Sequence, residues 1–264
     1  IRSWFKREKR AENIEVGRAE IDREMKKYGI PYTDEQRNEI LTSVAQRIGI
    51  QSAEDLYNTV GYGGLAVSKL TTKIKDEFDK ENVKIPVLGC YINPSCTDAE
   101  VLCAQMKRFK EHLKYAHFCG AQMVGTETGY VGSECNEKDN HTEQAYKHLL
   151  TNLKELVAYA EKLGVMIGIE GVKAFVINDP QKMRRLIDGL NSPNVLAIFD
   201  PINFLGADNY YDQEKIIDDA FNLYGDEMCV LHLKDFVIDA DGNMKSALPT
   251  EGMLNTEKIL RYIK

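Results

Sequence analysis

Val165-Met-Ile-Gly-Ile-Glu170, Val195-Leu-Ala-Ile-Phe-Asp200 and Met228-Cys-Val-Leu-His232 are three short apolar runs, each closed by a side chain that binds metals. The closing residues stand 30 and 32 positions apart, the length of one strand plus one return helix, which is the repeat of a parallel βαβ array. Strands in such an array all run the same way, so the three side chains emerge at one edge of the sheet. Two carboxylates and an imidazole converging there suggest a divalent metal site.

The same texture extends on both sides of these runs. From Val83 onward, β-branched segments alternate with amphipathic ones: 83–92, a helix from about Thr97 to Cys119, 122–127, a helix from about Thr142 to Leu163, 165–170, a helix opened by Asp179-Pro180, 195–200, a helix near Asp212 to Tyr224, 228–233, and a last helix near Asn255 to Lys264. This predicts five strands and five helices. A doubly wound sheet uses the same alternation, but the G-x-G-x-x-G turn that would support one is absent. Before Val83 the pattern is helical: Thr33-x-x-Gln36 and Ser52-x-x-Asp55 read as capping boxes, and Gly61-Tyr-Gly-Gly64 separates two helices. We expect 1–82 to be all-α and 83–264 to be α/β, with no strand from the first piece joining the sheet.

Charge divides along the same line. Residues 1–82 balance 15 Lys+Arg with 15 Asp+Glu, whereas 83–264 carry 19 against 26 and hold the whole net charge of −7. The second piece would repel a phosphate backbone, which makes nucleic acid an unfavourable partner for it. Arg2, Lys6, Arg7, Lys9 and Arg10 give the chain a basic start that also holds Trp4 and Phe5, read as a solvated helix face or a nucleic-acid or ribosome contact. Six cysteines without a C-x-x-C pair read as reduced, packing thiols. No run approaches the ~18 apolar residues of a membrane span and no charged-then-apolar leader opens the chain, so a soluble, cytoplasmic protein without a membrane partner is expected.

The first piece resembles the helical regulatory segment of the Rel/Spo stringent-response proteins. The resemblance rests on Ile1-Arg-Ser-Trp-Phe-Lys6, Arg10-Ala-Glu-Asn-Ile-Glu-Val-Gly17, and Glu54-Asp-Leu-Tyr57 leading into Val60-Gly-Tyr-Gly-Gly64. It implies the regulatory, ribosome-contacting half of such a protein. The hydrolase and synthetase modules precede that half in the family, so nucleotide synthesis is not carried over.

The second piece resembles the xylose-isomerase-like sugar isomerase/epimerase barrels. Leu88-Gly-Cys-Tyr-Ile-Asn-Pro94, Val124-Gly-Thr-Glu-Thr-Gly129, Ile169-Glu-Gly171, Phe199-Asp-Pro-Ile-Asn203 and Leu231-His-Leu-Lys-Asp235 are similar to that family's third to seventh strand ends. The resemblance implies a partial (β/α)8 TIM barrel whose metal is held by Glu170, Asp200 and His232. Manganese is the first choice, with magnesium, cobalt or zinc as alternatives. The ion would bridge two oxygens of a small ketose or related polyol, and carboxylates would shuttle a proton through an enediolate. Glu170 would be both ligand and catalytic acid/base.

The sequence departs from that pattern where a closed barrel needs eight strands. We find neither the first two strand-helix units nor the eighth, where the family places a further glutamate that serves as ligand and second acid/base. With a first residue other than Met and a last residue, Lys264, where an eighth strand should begin, we expect a composite of two partial genes with exposed strand edges and negligible turnover.

The other candidates are substrate-binding residues: Asn93, Glu127, Asn203, Lys234 and Asp235. Glu127 ends a strand, where hydrogen bonding to substrate and support of the turn at Gly129 are equal readings. Asn93 and Asn203 stand near Pro94 and Pro201, and their plainer reading is as turn residues. For Glu170 and Asp200 the plainer reading is an ion pair with Lys173 or a helix cap. His112, His117, His141 and His148 fall on or beside helices and read as surface or packing residues. Two alternatives to the isomerase remain. One is an abasic-site endonuclease of the same superfamily, whose metal cluster would want histidines where Asn203 and Glu127 stand. The other is a non-enzymatic, ribosome-binding fragment.

Overall fold

The computed structural model describes residues 33–47, 51–55 and 74–263, with the isolated positions 14, 18 and 22. By its internal contacts the chain divides into two compact units, Ile1–Ile85 with His117–Gly120, and Pro86–Ala116 with Ala121–Lys264. The Rel/Spo-like motifs before Thr33 and after Asp55 lie outside the described residues.

In the first unit, α1 spans Asp34–Arg47, and residues 53–55 and 74–80 are helical. The Thr33 capping box forms in full, and at Ser52 the N-cap half of the box forms. Thr33 N–H donates to Gln36 Oε1 at 3.0 Å and Gln36 N–H returns to Thr33 Oγ1 at 3.2 Å. Asp55 N–H donates to Ser52 Oγ at 3.1 Å, and that hydroxyl donates to Asp55 Oδ2 at 2.8 Å. Each N-cap hydroxyl accepts an amide that the first helical turn would otherwise leave without a partner. Among the described residues, none of 1–82 is in a strand.

The second unit is a curled half-barrel of parallel strands with helices around it. Its elements are β1 (Ile85–Gly89), α2 (Ala99–Cys119), β2 (Ala121–Glu127), α3 (Glu137–Asn140), α4 (Glu143–Leu163), β3 (Met166–Glu170), α5 (Pro180–Leu190), β4 (Val195–Phe199), α6 (Gln213–Tyr224), β5 (Met228–Leu231), β6 (Asp235–Ile238), β7 (Met244–Ala247) and α7 (Thr256–Tyr262). The main sheet has the order β1-β2-β3-β4-β5, each strand beside its predecessor in sequence. A strand, a helix and a parallel neighbour repeat in that order, as the 30-residue spacing requires.

Local chemistry explains the boundaries. Thr142 Oγ1 accepts from Ala145 N–H to open α4, and Gly164, at φ 63°, closes it in the left-handed region. Between these caps Ala145, Leu149, Leu153, Leu156 and Ala160 are buried at helical spacing, forming the stripe that α4 turns to the core. Asp179 caps α5 through a 2.7 Å bond from Lys182 N–H, with Pro180 in the first turn where its missing donor costs nothing. The core between sheet and helices holds Leu149, Leu153, Leu156, Ile167, Ile169, Met183, Leu186 and Phe199 among others.

The sequence reading missed one element pair. β6 and β7 form an antiparallel hairpin, in register Asp235↔Ala247 to Ile238↔Met244, between the fifth strand and the last helix, where the sequence reading assigned no element. Asp241-Gly242 was the visible signal. Gly242 takes φ 81°, and Asp239 Oδ1 accepts from Asp241 N–H and Asn243 N–H, so the turn closes on its own side chain.

Candidate metal centre

β3 and β4 end level with each other, and β5 is drawn alongside. Glu170 is the last residue of β3 and pairs in register with Ile198, two residues before Asp200. His232 N–H donates to Phe199 O at 2.8 Å, which carries the ladder one residue past β5 and sets the imidazole beside Asp200. As a result, one ligand atom from each of Glu170, Asp200 and His232 lies within 4.8 Å of the others. The cluster sits at the C-terminal ends of the strands, where parallel barrels carry their sites.

Glu170 is 2% exposed and Asp200 0%, so two carboxylates are buried side by side. His232 Nδ1 lies 3.1 Å from Glu170 Oε1 and 3.9 Å from Asp200 Oδ2. Burial pushes the Glu170 carboxyl above its ordinary range, and the His232 ring opposes that rise. Asp200 divides its two oxygens. Oδ1 accepts from Ile202 N–H at 3.1 Å and caps the turn Pro201–Phe204, as the plainer reading expected. Oδ2 is buried without a hydrogen bond, although Lys234 Nζ stands 2.5 Å away as an ion-pair partner. The ammonium compensates the buried Asp200 charge. Lys173, the other proposed partner, pairs instead with Asp208 at 3.0 Å.

Oxygen and imidazole donors clustered this closely, with two of them buried carboxylates, fit a divalent ion, which would share the Asp200 oxygen with the Lys234 ammonium. Glu170, Asp200 and His232 are the residues that would hold it.

The remaining candidates separate by geometry. Asn203 Nδ2 donates to Glu170 Oε1 at 2.7 Å, and its backbone carbonyl accepts from Lys173 N–H at 2.6 Å, so Asn203 orients the Glu170 carboxylate. Glu127 ends β2 in register with Glu170 and lines the same cleft of about 630 Å³ as Tyr91, His232 and Lys234. Among the described residues its carboxylate has no hydrogen bond or ion pair; burial and then the charge of Glu170 raise its pKa. Burial alone would lower the Lys234 ammonium, but Asp200, Glu170 and Glu127 hold it above its usual value.

Two expectations need correction in their geometry. Asn93 has its amide committed to backbone: Oδ1 accepts from Tyr130 N–H at 2.9 Å and Ser95 N–H at 3.1 Å, and Nδ2 donates to Tyr130 O at 2.8 Å. Asn93, not Glu127, therefore supports the turn at Gly129, where a Cβ would stand 2.0 Å from Asn93 Oδ1. Asp235 is turned away from the cluster. Its oxygens accept from Phe236, Leu254 and Gly252 N–H at 2.8, 2.9 and 2.9 Å, which fastens the segment after the hairpin. The four helix-associated histidines include His141 and His148, whose rings bond to the carbonyls of Lys173 and Cys96.

Sequence reasoning did not find Tyr91. Its hydroxyl lies 3.4 Å from Glu170 Oε2 across 79 residues of chain, and burial with the neighbouring carboxylates pushes its pKa up to about 12. Its place directly after β1, in the Cys-Tyr-Ile-Asn run, was the available signal.

Residues 43–264 match the family described as xylose isomerase-like TIM barrel. The chain belongs to that family. Among solved members of the fold, the structure resembles the IOLI protein with a bound zinc atom at 17% identity and TM-score 0.59, covering 73% of this chain and 67% of that one. It also resembles a D-tagatose 3-epimerase-like protein at 18% identity and TM-score 0.59, covering 74% and 71%. At the other end, residues 4–75 match the RelA/SpoT AH domain, overlapping the barrel match between 43 and 75. A probable guanosine-3′,5′-bis(diphosphate) 3′-pyrophosphohydrolase from Synechocystis sp. is 33% identical over 84 residues, 32% of this chain. The chain spans only 11% of the length of that relative. No described helix is long and apolar enough to cross a membrane.

Proposed function

We propose that the half-barrel is the site of a divalent-metal-dependent isomerase or epimerase acting on a small sugar or sugar derivative. The observation that carries this is the convergence of Glu170, Asp200 and His232 within 4.8 Å at the strand ends, with both carboxylates buried. A bound ion, manganese by preference, would polarise a substrate carbonyl and neutralise the buried carboxylates. Glu170 is the proton-transfer group. Asn203 fixes its Oε1, so Oε2, facing Tyr91 and the cleft, is the oxygen placed to take a proton from a substrate carbon. Lys234 screens Asp200, and Glu127 is placed to accept from a substrate hydroxyl.

Epimerisation also needs a group to return the proton at the neighbouring carbon or the opposite face. Glu127 on the adjacent strand is the described carboxylate nearest that role in register, but it lies on the same sheet rather than across a closed barrel. Loss of a positioned acid/base typically costs about 10²- to 10⁴-fold, so we expect low turnover from this chain. Calorimetric titration with Mn²⁺, followed by solvent-deuterium incorporation into a panel of ketoses, tests the reading. Metal binding abolished by Asp200→Asn and exchange abolished by Glu170→Gln are expected; Mn²⁺ binding that survives both substitutions would overturn it.

The match of 4–75 to the RelA/SpoT AH domain favours a second reading for that segment, a regulatory or ribosome-contacting role. Co-sedimentation of the chain with ribosomes, lost when the segment is deleted, is the corresponding test. The endonuclease alternative has no such support, because Asn203 binds a ligand carboxylate and offers no imidazole.

A further inference from the structure

A second cavity of about 530 Å³ adjoins the metal cleft, and Tyr91 and Glu127 line both. Its far wall carries Tyr130 and Phe175, with ring centroids 5.9 Å apart at 43°, and its polar lining includes Asp98, Gln105 and Glu127. Among the described residues, no lysine or arginine lines it.

The backbone that carries the aromatic wall is tied down by hydrogen bonds. Asn93 binds Tyr130 through both N–H and C=O, and Val176 N–H donates to Gly129 O at 3.1 Å, joining the Tyr130 turn to the loop that holds Phe175. A backbone fixed in this way loses little freedom on binding. An aromatic face beside carboxylate acceptors matches the two surfaces of a sugar ring, its C–H face and its hydroxyl rim. The acidic lining disfavours phosphate and other anions. A space of this size, in addition to the metal cleft, exceeds what one monosaccharide fills.

We infer that the second cavity is a subsite for the non-reacting ring of a neutral, unphosphorylated glycoside whose reacting, carbonyl-bearing unit lies in the metal cleft. This rests on the isomerase reading for the metal cleft and names the substrate class. Tyr91 and Glu127 stand at the junction, where they would contact both units.

The test compares glucose, glucose 6-phosphate, cellobiose and maltose, whose reducing units can open to a carbonyl, by calorimetry on the full chain, with Mg²⁺ and in chelator. The glycosides should bind about fivefold to tenfold tighter than glucose, the increment expected of one aromatic contact, and glucose 6-phosphate more weakly than glucose. Phe175→Ala should abolish the preference while Mg²⁺ affinity stays unchanged; Tyr130→Leu is the second variant should that one fail to fold. Equal affinity for glucose and the glycosides, tighter binding of the phosphate, a preference that survives in a folded variant, or no sugar binding at all would overturn the subsite. Loss of metal binding with the preference intact would overturn the metal-centre reading alone, because the aromatic contact does not pass through the ion.

Discussion

Glu170→Gln should reverse the sign of its effect on stability when metal is added. In metal-free protein the Glu170 carboxylate is 2% exposed, next to a fully buried Asp200, and burial is the largest influence raising its pKa. Glutamine keeps an oxygen for the 2.7 Å bond from Asn203 and the 3.1 Å contact with His232, and removes the buried charge. Replacing incompletely paired buried charge by a neutral group of similar shape stabilises by about 1–2 kcal/mol, the lower part of the range for such replacements. At about 2–4 °C per kcal/mol for a domain of this size, Tm in chelator should rise by about 2–8 °C. Mn²⁺ at a hundredfold excess over its Kd stabilises the wild type by about 2.7 kcal/mol through binding the native state alone, so the wild type should then melt above the variant. Thermal scans followed by circular dichroism, in chelator and in Mn²⁺, read both halves. A variant less stable than wild type in chelator, or equally stabilised by Mn²⁺, would show that the carboxylate is structural and refute the reasoning.

Three further outcomes follow from the surroundings of the site. Asp235→Ala removes the acceptor of three backbone amides in a residue 1% exposed, and should cost about 3 kcal/mol in urea melts. For the native Asp235, burial opposes ionisation but the amides of Leu254, Gly252 and Phe236 outweigh it, so its folded pKa lies below its unfolded value. Its contribution is therefore complete above the unfolded carboxylate range and is lost as pH falls through the folded pKa, so the wild-type advantage over Asp235→Ala should shrink in acid melts. Gly129→Ala, at φ 65° with its Cβ 2.0 Å from Asn93 Oδ1, should destabilise by about 2 kcal/mol and weaken sugar binding more than Mn²⁺ binding.

Periodicity and spacing made the half-barrel legible. Each of Val165–Glu170, Val195–Asp200 and Met228–His232 carries its own strand signal, and intervals near 30 residues leave a parallel array as the reading, which is why its three end residues could be set together before any coordinates. The boxes at Thr33 and Ser52 were legible for the same reason, since a cap acts within four residues. The β6–β7 hairpin was overlooked because its strands are four residues each and its turn signal is a single Asp-Gly.

What tertiary structure decided is the direction in which polar side chains turn. Asn93, Asn203 and Asp235 all follow strands and looked alike as substrate contacts, yet one clamps Tyr130, one orients Glu170, and one binds the amides of 252 and 254. Tyr91 reaches Glu170 only because β1 and β3 flank β2 in the sheet. A hydrogen bond depends on where donors from distant segments arrive, and that is set by packing across the sheet; the sequence around each residue determines which chemistry it carries to a strand end, and the fold determines which partner it meets there.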